Sequence, residues 1–192
     1  MGWKSRPTAG DNATGKVRGM RSTCRCLLLV ILFALTAVHA RTPGEVAVGE
    51  QLREAPLQGL FGPNRKLSDF RGKPLMINVW ASWCGPCQQE MGSIEELSRR
   101  FSGKQFNVIG ISTDDYSERA TLFLMKTGTT FNNFIDSGLI LENMLGASHL
   151  PLTVLVDAHG RVLAKHYGAK DWRSPQSVAL IAKTLRVKLA LD

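Results

Sequence analysis

Residues 75–87 read LMINVWASWCGPC, a buried-strand run delivered straight into a helix start that carries two cysteines two residues apart. A near-continuous apolar run of this length is expected of a strand covered on both faces. Pro86 is a favourable first-turn residue, and Met91, Ile94, Leu97 and Phe101 follow at helical spacing. Cys84 and Cys87 therefore sit within the first turn, close enough for their sulfurs to bond. The unpaired N–H groups of a helix N-terminus favour a thiolate beside them. A cysteine so placed has its pKa lowered from ~8.5 toward ~7 or below. The spacing points to a redox pair in which Cys84 attacks a disulfide and Cys87 resolves the mixed disulfide.

CxxC also serves zinc sites and haem attachment. A structural zinc site needs four ligands. Beyond residue 40 there is no other Cys, and His149, His159 and His166 lack paired spacing. Haem attachment needs His after the second cysteine, where Gln88 stands. The reading is a dithiol with no metal site and no cofactor.

The rest of the chain alternates strand and helix signals. Strands are expected at 106–112, 131–135, 152–156 and 162–167, the last two joined as a hairpin through Asp157-Ala158-His159-Gly160. Helices are expected near 117–126 and 139–145, and at the end, where Val178, Ile181, Leu185 and Leu189 share a face. Glu95 and Glu96 precede Arg99 and Arg100 by four residues and read as a solvated helix face. Residues 41–73 read as a Gly- and Pro-punctuated lead-in with one or two short strands. The order predicts an α/β fold: a mixed sheet with helices on both faces and an insert between core strands.

The net charge of +8 is uneven, since residues 1–40 hold six Lys/Arg against one Asp. The remainder is mildly basic and has no basic stripe with interleaved aromatics, so no nucleic-acid partner is expected. Residues 27–38, LLLVILFALTAV, follow Arg18, Arg21 and Arg25 and precede Ala37-Val38-His39-Ala40. A basic stretch, a short apolar run and small residues make a secretory signal, with cleavage expected after Ala40. An uncleaved anchor is the alternative, and Met20 is an alternative start. The expected division is a signal or anchor at 1–40 and one domain at 41–192. Cys24 and Cys26 precede the apolar run and leave with a cleaved signal. Export places the domain where disulfides persist.

Leu67-Ser68-Asp69-Phe70-Arg71-Gly72-Lys73-Pro74, the run from Asn78 through Trp83-Cys84-Gly85-Pro86-Cys87 to Met91, Leu150-Pro151-Leu152-Thr153 and Asp157-Ala158-His159-Gly160 together resemble the thioredoxin superfamily. More narrowly, they resemble its exported TlpA/ResA-like thiol–disulfide oxidoreductases. The resemblance implies a thioredoxin-like fold with Pro151 as a cis-proline facing the cysteines. Such a bond exposes the backbone of Leu150 to an extended substrate segment. It implies that Glu90 lies beneath the cysteines and assists proton transfer, as a buried carboxylate of raised pKa can. Trp83 is expected to cover the sulfurs and contribute to the substrate surface, Trp80 to be core, and Trp172, in a loop, to have no role. Two positions depart from the family pattern: Gly92 where Pro is frequent, and His149 where Gly is frequent. His149 is read as a solvent-facing loop residue.

Gly-Pro between the cysteines is the dipeptide of thioredoxin, a reductant at about −270 mV. The expected activity is reduction of protein disulfides in a periplasmic or other extracytoplasmic compartment by a monomer, with electrons from a membrane-embedded thiol carrier. Apocytochromes c before haem attachment, or copper-site proteins, are the implied targets. The alternatives are a disulfide-inserting oxidant and a thiol chaperone delivering copper or haem.

Overall fold

The computed structural model describes residues 42–189. The expected signal, its cleavage site, Met20, Cys24 and Cys26 lie outside them. The elements are β1 (Pro56–Gly59), β2 (Arg65–Lys66), a 3-10 turn (Leu67–Phe70), β3 (Leu75–Trp80), α1 (Gly85–Phe101), β4 (Asn107–Ser112), α2 (Ser117–Thr127), β5 (Asn132–Ile135), α3 (Ile140–Leu145), β6 (Leu152–Val156), β7 (Val162–Tyr167) and α4 (Pro175–Leu185). The α/β expectation holds. Seven strands form one mixed sheet in the order β2-β1-β5-β4-β3-β6-β7. Strand β3 lies near its middle, parallel to β4 and antiparallel to β6.

All six residues of β3 are buried, as the apolar run requires. Alternation along the strand sorts them between two cores. Leu75, Ile77 and Val79 join Ile109, Ile111, Val154 and the α3 residues Leu141, Met144 and Leu145 on one face. Met76 packs on the other with Ile94 and Leu97 of α1 and Val178, Ile181 and Leu185 of α4. Trp80 continues that face and meets Met91 of α1 and Phe123 and Leu124 of α2. The insert between β4 and β6 contributes a strand of its own, since β5 pairs parallel with β4 and extends the sheet.

At Gly110 of β4 the Asn133 amide of β5 and the Trp80 indole occupy the space a side chain would need. A Cβ there would lie 1.8 Å from Asn133 Oδ1 and 2.8 Å from Trp80 Nε1. That space holds the bond from the Trp80 indole N–H to Asn133 Oδ1, 2.9 Å long.

Glu95 departs from expectation. It is buried and accepts from Thr130 N at 2.7 Å, Thr130 Oγ1 at 2.6 Å and Arg99 Nε at 2.6 Å. The i,i+4 pair with Arg99 is real, but its carboxylate end also ties α1 to the entry of β5. Helical spacing alone could not show that the loop before β5 covers this face. No helix among the described residues is long and apolar enough to cross a membrane.

Candidate active site

The site grows out of the junction between β3 and α1. Cys84 is the N-cap residue of α1, in extended conformation, and its Sγ accepts from the Cys87 backbone N–H at 3.2 Å. The cap position thus places a sulfur where an oxygen usually satisfies a free helix N–H. Cys84 and Cys87 are joined by a disulfide. Both are shielded, Cys87 completely and Cys84 to 5% exposure, so what exposure the pair has belongs to Cys84.

The turn entering the helix is held by Asp114, a buried residue just beyond β4. Its carboxylate accepts from Ser82 N at 2.9 Å, Ser82 Oγ at 2.6 Å and Ser112 Oγ at 2.7 Å. The Gln88 side chain closes the turn from the helix side by donating to Ser82 O. Neighbouring strands β3 and β4 therefore fix the cysteine turn through one acid that the sequence reading did not single out.

The Leu150–Pro151 peptide is cis. Half-buried Leu150 shares a surface groove with Trp83, Cys84, Pro86, Thr113 and Leu139. Trp83 is 67% exposed, whereas Trp80 lies wholly in the core. The predicted substrate-surface residues Trp83 and Leu150 thus line one groove with Cys84. His149 is exposed, its ring Nδ1 paired with Ser148 Oγ and its face set edge-on to Tyr167.

Glu90 lies one turn after Cys87 and is only 2% exposed. Its Oε1 accepts from Asn78 Nδ2 at 2.7 Å. Its Oε2 accepts from the Lys170 backbone N–H at 3.0 Å and the Trp172 indole N–H at 3.2 Å. Burial pushes its carboxyl above the ordinary value, against the pull of those bonds and of the Lys170 charge. Trp172 is a correction to the sequence reading: it is fully buried, packs in the α1/α4 core and holds Glu90. Nothing local distinguishes it, because the contact is made by a loop returning from the far edge of the sheet. Asn78 was also missed, although one polar residue inside a buried apolar strand is a signal in itself. Its Nδ2 also donates to Thr153 Oγ1, while its buried Oδ1 has no hydrogen-bond partner among the described residues.

A cysteine pair at a helix N-terminus, with an open groove beside the first cysteine, can exchange disulfides, and a buried carboxylate lies one turn further along the same helix. The Redoxin family model matches residues 47–181. The chain belongs to the redoxin family. This redoxin is 31% identical over 144 residues to the thiol–disulfide oxidoreductase ResA of Geobacillus thermodenitrificans, covering 74% of this chain and 83% of the relative. It is 32% identical over 147 residues to ResA of Geobacillus kaustophilus, covering 74% and 84%. Among solved structures, it resembles the thiol:disulfide interchange protein DsbE of Chlorobium tepidum. The TM-score is 0.64 at 26% identity, covering 71% of this chain and 99% of that one. The redoxin fold and the cysteine pair make this chain a thiol–disulfide oxidoreductase.

Proposed function

We propose that the protein reduces disulfides of protein substrates outside the cytoplasm. In its dithiol form, the Cys84 thiolate attacks a substrate disulfide seated in the groove by Trp83 and by the backbone of Leu150 beside Pro151. Cys87 then attacks Cys84 Sγ, closes the internal disulfide and releases the substrate thiol, with Glu90 taking the Cys87 proton. The observation that carries this reading is the Cys84 sulfur at the α1 N-cap, accepting the Cys87 N–H and facing the groove. A sulfur there is stabilised as thiolate by the helix end.

The basic and apolar segment at 18–38 supports export, either as a cleaved signal or as an anchor. In an oxidising compartment the dithiol needs resupply, which a membrane-embedded thiol carrier would provide. The family resemblance makes apocytochromes c before haem attachment, and copper-site proteins, the first targets to test. The protein acts as a monomer in this scheme.

The deciding experiment is Cys87→Ser expressed with its export segment in a host that exports it. Cys84 should then accumulate as mixed disulfides with exported proteins, identified by mass spectrometry. Recovery of the variant without any covalently attached protein, while Cys84 remains alkylatable, would overturn the proposal.

A further inference from the structure

The two faces of Glu90 lead to different places. Through α1 it is three residues from Cys87, on nearly the same helix face. Its Oε2, however, is bonded to the segment after β7, through Lys170 N and Trp172 Nε1. That segment and α1 enclose a solvent-open cleft whose lining includes Glu90, Ser93, Ala169, Lys170, Asp171 and Arg173. None of these residues lines the groove that holds Trp83, Cys84 and Leu150. The buried carboxylate therefore borders a second opening, distinct from the one a substrate would cover. The charged groups lining the cleft balance, Lys170 and Arg173 against Asp171 and Glu90, and Arg173 is engaged with Asp171 and Glu96.

We propose that this cleft is the proton port of the exchange reaction. The inference rests on Glu90 acting as the base for Cys87. In the resolving step, Cys87–SH passes its proton to the Glu90 carboxylate, and the Cys87 thiolate attacks Cys84 Sγ of the mixed disulfide. The Cys84–Cys87 bond forms, the Cys84–substrate bond breaks, and the electron pair leaves on the substrate sulfur. Protonated Glu90 then releases its proton to water in the cleft while the substrate still occupies the groove. A single opening would seal the carboxylate whenever a protein substrate docked. Two openings keep the proton path wet throughout turnover.

A cleft of this kind admits a small carboxylate in place of the missing side chain. The test follows release of substrate from a preformed mixed disulfide with Cys84 in single-turnover mode. Glu90→Ala should slow release at least about a hundredfold, the lower end of the ~10²–10⁴ typical of a positioned base. Formate should restore the rate in a saturable way, and bulky pivalate should not. Adding Ala169→Leu, an exposed position that lines the cleft, should remove the rescue. With Glu90 intact, Ala169→Leu alone should slow release while leaving the first attack by Cys84 unchanged, a result independent of how well Glu90→Ala folds. Unimpaired release in Glu90→Ala would overturn the Glu90 role itself. Slowed release that formate cannot restore, or rescue that survives Ala169→Leu, would overturn the port.

Discussion

The Trp172 indole N–H donates to Glu90 Oε2 across 82 residues of sequence, at 3.2 Å. This bond joins the last loop of the fold to the helix that bears the cysteines. It makes the setting of Glu90 a product of the sheet's middle, where α1 begins, and of its β7 edge. Four predictions follow from that relationship and from the packing around it.

Glu90 sits with its carboxyl raised by burial. A raised folded-state value means its contribution to stability is complete below the unfolded value and is lost as pH rises through the folded one. Glu90→Gln cannot ionise, so its Tm relative to the parent should climb between pH 4 and pH 8. Lys170, Asp171, Arg173 and, across Trp172, His166 also face this region in both proteins. Burial and Lys170 depress the His166 value, but that effect cancels in the difference. Parallel Tm curves across that pH interval would show that Glu90 carries no buried charge.

Trp172→Phe keeps a ring in the core and deletes one donor to Glu90. Loss of a hydrogen bond to a charged acceptor costs about 1.5–3 kcal/mol, and the carboxyl should rise further because one bond that lowers it is gone. Urea unfolding should show the loss at pH 8 and a smaller one at pH 4. An equal loss at both values would assign the effect to packing alone.

Glu95 behaves in the opposite sense. Burial pushes its carboxyl up, but bonds from Thr130, Arg99 and Phe131 outweigh it, and the net value is lowered. Its contribution is therefore present above the unfolded value and lost as pH falls through the folded one. Glu95→Gln should cost about 1–3 kcal/mol near pH 7, and the difference from the parent should shrink below pH 4. Chemical denaturation at the two pH values checks this.

Gly110→Ala pushes a methyl into Asn133 Oδ1 and the Trp80 indole N–H. The strands must part or the Trp80–Asn133 bond must break. Overpacking of this kind costs about 1–3 kcal/mol, read as a fall in Tm. Because Trp80 O accepts from Thr113 N and Asp114 holds Ser82, the disulfide should also become easier to reduce by dithiothreitol. An unchanged Tm would mean the sheet opens there freely.

The cysteine turn and the sheet around it could be read from the chain because their causes are local. Six buried residues in a row, Pro86 in a first turn and apolar residues at helical spacing each act over a few positions. Cys84, Cys87 and the groove residues Trp83 and Leu150 were found by motif. Export and the substrate are proposals that rest on sequence pattern and resemblance.

Periodicity also put Glu95 on a solvated face, because it describes one helix and not what packs against it. The sequence by itself determined where strand yields to helix and that two cysteines stand at that junction. Only the tertiary structure decided that Asn78, Lys170 and Trp172 converge on Glu90, and that Asp114 steadies the cysteine turn. Those contacts form between segments brought together by strand pairing and by burial of two cores, forces that act across the whole fold and leave no periodic trace along the chain.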